Sequence, residues 1–234
     1  MLNRIMPRLL LALLVLSLQA CAAMHSAESI EAWVVDAQTD QPIEGAVVVA
    51  HWQLERKFAI PPGVVGYDPR GPLQLQILET VTDANGRFGF PAWGPRRAPL
   101  GSYLEGEDPR IIIFKSGYEI FAQGNFHPPI LDTSASSTRT SELNGRTVKL
   151  KKFEGDLKGY ASYLISLYGG LEFAINPWSA NCDWQKIPQM LVAVSKQAHL
   201  FRENNIYSSL PVLDDLSQHG QCGSASDFMK EYLK

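Results

Sequence analysis

The spacing of apolar residues changes period at Lys152, and that change constrains the fold more than any other feature of the chain. Upstream, short runs rich in β-branched and aromatic residues are broken by Gly, Pro, Asn and Asp, the pattern of strands and turns. Ile30, Ala32 and Val34 alternate with Glu31, Trp33 and Val35; further runs cover Gly45 to Trp52, Leu73 to Thr82 and Arg87 to Phe90. Arg110 to Phe114 turns at Lys115-Ser116-Gly117 into Tyr118 to Ala122, and Arg146 to Lys151 closes the series. Asp83-Ala84-Asn85-Gly86 carries the residues that tolerate positive φ and cap their own backbone, so residues 73–90 are expected to form a hairpin. Seven strands without long helices between them predict an antiparallel, seven-stranded immunoglobulin-like β-sandwich over residues 29–152.

Downstream, Leu157, Tyr160, Ala161, Leu164 and Tyr168 recur at helical spacing, with Asp156 as N-cap and Gly169-Gly170 as the expected stop. Ile187, Met190, Leu191, Val194, Ala198 and Phe201 form a longer stripe, and Pro188 suits only its first turn. Residues 226–233 predict a last short helix. The class is therefore α+β, a sandwich followed by a small helical region over residues 153–234. The helices need a surface to bury against: each other, the sandwich, or both.

Before the sandwich, Arg4 and Arg8 flank Leu9 to Leu18, an apolar run of about ten residues, half of the roughly 20 a bilayer-spanning helix needs. Short apolar cores with basic flanks are secretory signals. Leu18-Gln19-Ala20-Cys21 resembles the lipobox of bacterial lipoproteins. The resemblance implies cleavage after residue 20 and acylation of Cys21, with residues 21–28 as anchor and linker. In that family Asp after the cysteine favours the inner membrane; Ala22 implies an outer-membrane lipoprotein facing the periplasm. Of three cysteines, Cys182 and Cys222 then remain as an even pair in an oxidising compartment, where a disulfide is expected. Such a bridge clamps the segment before the long helix to the tail.

Ile30 to Asp36, Thr39-Asp40-Gln41-Pro42-Ile43-Glu44-Gly45-Ala46-Val47-Val48, Thr82 to Phe88 and Ile113-Phe114-Lys115-Ser116-Gly117-Tyr118 occur in this order. Together they resemble the carboxypeptidase regulatory-like domain. The resemblance implies a transthyretin-like sandwich used as a non-catalytic accessory module. The chain departs from it through long insertions at residues 54–72, 91–109 and 123–143. These carry Tyr67, Trp93 and Tyr103, a candidate binding loop, because long loops on a rigid scaffold are often functional. Alternatively they fold back and cover an open sheet face.

Removing Arg4 and Arg8 with the leader takes the formal charge from −3 to −5, and Arg96-Arg97 and Lys149-Leu150-Lys151-Lys152 are too short for the basic surface nucleic acid requires. Five histidines show no zinc-site spacing. Asp83-x-Asn85-Gly86 opens like a calcium loop, but the later ligand places hold Phe88 and Gly94. Cys222-Gly223-Ser224 echoes the papain-type signature but has Ala225 where the nucleophile belongs. No serine elbow, phosphate loop or dinucleotide fingerprint occurs. The expectation is a protein that is not an enzyme and has no metal or cofactor. It is expected to be a lipid-anchored interaction or structural module with an envelope protein as partner. Alternatives are a glycan or peptidoglycan binder and an assembly lipoprotein of an envelope machine.

Overall fold

A computed structural model describes residues 23–56, 73–99, 102–104, 106–125, 137–176, 181–216 and 222–233. The chain is α+β and mostly β, with eleven strands, four α-helices and one disulfide among these residues. The strands are β1 (Met24–Ala27), β2 (Ile30–Asp36), β3 (Val47–Arg56), β4 (Leu73–Val81), β5 (Arg87–Phe90) and β6 (Trp93–Arg97). They continue with β7 (Ser102–Leu104), β8 (Arg110–Phe114), β9 (Phe121–Gln123), β10 (Ser137–Arg139) and β11 (Thr147–Leu150). The helices are α1 (Leu157–Tyr163), α2 (Ile165–Ile175), α3 (Pro188–Glu203) and α4 (Ala225–Met229).

One sheet has the order β4-β3-β8-β9, with β7 also on β3; the others are β11-β2-β5 and β10-β1-β6. The last two share an order, because β1 leads into β2, β5 into β6 and β10 towards β11. They run end to end as one bent sheet, stitched by Glu28 N donating to Arg139 O and Gly145 N to Glu31 O.

The result is three layers. Ile30, Ala32 and Val34 of β2, Phe88 and Phe90 of β5, and Val148 and Leu150 of β11 pack against Val48, Ala50, Trp52, Ile111 and Ile113 of the other sheet. The opposite face of that second sheet, with Val47, Val49, Ile77, Ile112 and Phe114, is covered by the helices. Consequently β3 is buried on both sides from Val47 to Trp52, which explains its unbroken apolar run. The helical stripes thus bury against each other and against the sheet.

Seven of the strands fall on the seven runs read from the sequence. The other four come from segments read as linker or loop: β1 from residues 21–28, β6 and β7 from residues 91–109, and β10 from residues 123–143. A strictly antiparallel sandwich is also not what forms, since β11 on β2 and β10 on β1 are parallel. The chain returns to β2 only after a long connection from β9, which frees it from hairpin geometry.

The expected hairpin over residues 73–90 is replaced by a corner between layers, with β4 pairing β3 and β5 pairing β2. Asp83 Oδ1 accepts from the N–H groups of Asn85 and Arg87, at 2.9 and 2.8 Å. Gly86 has φ +69°, and a Cβ there would lie 2.3 Å from Val34 O. The turn residues are those a hairpin uses, but the Gly86 backbone is taken up by β2.

Asp156 caps α1, accepting from Gly159 N at 2.7 Å. The helical path breaks at Leu164 and then runs through Gly169 and Gly170 as α2, rather than stopping there. Tertiary packing overrides the glycines: Leu167, Leu171, Phe173 and Ala174 are buried. Pro188 occupies the first turn of α3 as expected. No helix among the described residues is long and apolar enough to cross a membrane.

Candidate functional site

Within the apolar run of β3 stands one titratable side chain, His51. It faces the helices, and its ring stacks on Phe173 of α2 with centroids 4.0 Å apart and planes 11° from parallel. Its Nδ1 lies 3.0 Å from Gln74 Oε1 on the neighbouring strand. With that oxygen accepting, Nδ1 carries a proton. Burial drives its pKa down to about 4, and the Arg110 charge acts in the same direction. Beside it opens a cleft of about 420 Å³ between α2 and the end of the sheet. Gln53, Gln123 and the Glu107–Arg110 ion pair, 2.9 Å long, supply its polar rim. The missing side chains of Gly169 and Gly170 widen it on the helix side.

A second, wider cleft of about 610 Å³ lies between β6, β4 and the turn that precedes α3. Arg96 and Arg97 line one side, Lys186 and Asp183 the other, and Leu54, Leu73 and Leu75 contribute apolar wall. Lys186 Nζ donates to Asp183 Oδ1 at 2.7 Å; burial raises the Asp183 pKa, while Lys186 opposes the rise.

Three other perturbed groups hold turns and elements together. Asp36 accepts from Gln38 N and Thr39 N, and these bonds hold its carboxyl at about 2. Tyr160 of α1 accepts from Gly117 N and donates to Tyr118 O, both at 3.0 Å, and burial pushes its phenol up to about 12. Glu79 of β4 caps α3, with Oε1 accepting from Met190 N at 2.7 Å and Oε2 from Gln189 N at 2.9 Å. Burial raises its pKa to about 7 against the pull of those donors. Pro188 has no N–H, and Leu191 N donates to Ile187 O, so Glu79 completes the first turn of a helix whose Ile187 cap offers no side-chain acceptor. Among the described residues no three His, Cys, Asp or Glu side chains gather as metal ligands would.

Of the residues singled out by sequence, Cys182 and Cys222 form a disulfide with Cα atoms 5.5 Å apart. Cys21 and Tyr67 lie outside the described residues. Trp93 opens β6 and is half-buried; its ring meets Trp52 edge-on at 5.1 Å, and the Arg96 guanidinium lies 6.0 Å from its centroid. Tyr103 sits in β7, opposite Glu55 of β3. Trp93 and Tyr103 are therefore strand residues, held by register with neighbouring strands instead of displayed on a loop. His51, Phe173 and Glu79 were not anticipated. The signal for His51 was available, as a lone imidazole inside an otherwise apolar strand. Glu79 and Phe173 carry no local signal, because their roles depend on how the helices dock.

No known protein family and no curated protein matches the chain. Among solved structures it is similar to 3-chlorocatechol 1,2-dioxygenase from Rhodococcus opacus 1CP, with 18% identity over 55% of this chain and 60% of that one, at a TM-score of 0.28. A chlorocatechol 1,2-dioxygenase from Pseudomonas putida gives 14% identity over 58% and 62%, at a TM-score of 0.25. The chain thus spans less than two thirds of either dioxygenase, and overlaps this loose carry no argument about activity.

Proposed function

We infer that the protein is a non-catalytic, lipid-anchored part of a bacterial envelope, held through Cys21 to the periplasmic face of the outer membrane and working as an interaction or structural module. The observation that carries this reading is the start of the folded body. β1 opens at Met24, three residues after Cys21, so an anchor there holds the sandwich at the membrane surface without a leash. A second support is the employment of the perturbed ionisable groups. Active sites bring such groups together, whereas Asp36, Glu79, Asp183 and Tyr160 each serve a turn, a cap or a docking contact. In this reading residues 29–152 are a carboxypeptidase regulatory-like module, elaborated by the strands that its long insertions carry. The cleft beside His51 is the favoured place for a partner segment.

Three measurements test the reading. Cys21→Ser should release the protein from the membrane fraction and abolish labelling by a fatty-acid analogue; unchanged retention sinks the anchor. A photo-crosslinking residue at exposed Gln123 should capture one dominant envelope protein in living cells. Turnover of any envelope substrate that disappears in His51→Ala overturns the non-catalytic assignment.

A further inference from the structure

Register places Arg97 opposite Met24 and Arg96 opposite His25, so two cations stand beside the first residues of the folded body. A chain reaches at most about 3.6 Å per residue, which puts β1 within about 11 Å of Cys21. Both arginines are exposed. Among the described residues neither guanidinium has a salt-bridge or hydrogen-bond partner, and that of Arg96 lies over the Trp93 ring. Lys186 adds a third cation from across the cleft, ion-paired with Asp183, the only acid lining the cleft among the described residues. This is a net-positive concavity on a chain whose formal charge is −3. Charges on β6 also discourage edge-to-edge pairing, but edge protection requires neither a cleft nor a cation from a separate element.

We propose that Arg96, Arg97 and Lys186 form a docking surface for the headgroups of anionic phospholipids in the membrane that holds the anchor, a proposal that rests on the anchored reading above. The anchor fixes the distance, and the cations fix the tilt: the cleft faces the bilayer and the His51 cleft is left open to partners. Each cation near an anionic surface contributes about five-fold in binding, provided it lies within a Debye length of about 8 Å.

The test uses the acylated full-length product reconstituted into vesicles of phosphatidylcholine with or without phosphatidylglycerol, read by amide hydrogen exchange of β6. Exchange should slow by about five-fold or more on the anionic vesicles. Arg96→Gln with Arg97→Gln should lose the slowing, and Arg96→Lys with Arg97→Lys should keep it. Unchanged exchange in β3 and β8 shows that the variants are folded. Equal exchange on both vesicles, or slowing that survives the glutamine pair, overturns the proposal; so does equal slowing by inorganic phosphate without lipid. Mass spectrometry of Cys21 on the same sample reports the anchor separately. If Cys21 is unmodified the anchored reading fails, and sedimentation with phosphatidylglycerol vesicles then decides docking: loss of binding in the glutamine pair supports it, and no loss refutes it.

Discussion

Glu79→Gln isolates the contact that seats the longest helix on the sheet. In the folded protein burial raises the Glu79 pKa from 4.5 to about 7. The folded state therefore holds its proton more tightly than the unfolded chain does. The stability this contributes is fully present below pH 4.5 and is lost as pH rises to about 7. A shift of that size amounts to about 3 kcal/mol. His51 runs the other way: its folded pKa is lowered from 6.5 to about 4, so its contribution is present above pH 6.5 and lost as pH falls towards 4. The two slopes oppose each other over pH 4.5–6.5 and partly cancel in the native protein. Glutamine has no charge to desolvate but still offers a carbonyl to one of the two N–H groups; losing the other costs about 1 kcal/mol. The variant should match the native protein near pH 4 within about 1 kcal/mol. It should be more stable by about 2 kcal/mol at pH 8, where the native carboxylate is ionised in a half-buried, partly desolvated position. The assay is urea unfolding at a series of pH values with the disulfide intact, read as the difference between variant and native protein, so that all other titrations cancel. Parallel curves across pH 4–8 would refute the assignment of a desolvated, titrating cap.

Tyr160→Phe removes the hydroxyl that joins α1 to the β8–β9 turn; it should cost about 1–3 kcal/mol, measured by denaturant midpoint. Removing the bridge by Cys182→Ala with Cys222→Ala should lower stability by up to about 4 kcal/mol for a sequence separation of 40 residues. Its first visible effect should be faster hydrogen exchange in α4. Arg139→Met takes from the Asp108 carboxylate the guanidinium it meets at 2.9 Å, with both side chains buried. A loss of about 3–5 kcal/mol is expected in thermal or chemical unfolding, and Asp108→Asn in the same background should recover part of it.

The β2, β3, β5, β8 and β11 runs were legible because one or both faces of each strand are dry, so side-chain alternation or continuous apolarity survives in the sequence. The α3 stripe was legible for the same reason, with Met190, Leu191, Val194, Ala198 and Phe201 all buried. What the sequence hid was pairing. Asp83 and Gly86 have the same chemistry in a hairpin and in a corner between layers, and only the claim of Val34 on Gly86 decides between them. Strands β6, β7 and β10 were illegible because they are short, and β6 is mostly wet, carrying Gly94, Pro95, Arg96 and Arg97. Gly169-Gly170 misled because local propensity is outweighed by the apolar residues on either side. Of the candidate site, the cysteine pair followed from parity and compartment, whereas the His51 cleft needed α2 to be docked before it existed.

A strand buried on both faces has a consequence for how the molecule is made. Synthesis runs from the N-terminus, so β3 and β8 exist well before α1, α2 and α3. Until those helices are complete, Val49, Ile77, Ile112 and Phe114 present a sheet face with nothing on it. The half-made chain is therefore the stage at which it is stickiest. A truncation at Lys152, at the point where the sequence changes period, should aggregate, because the cut strips the cover from one face of a shared sheet.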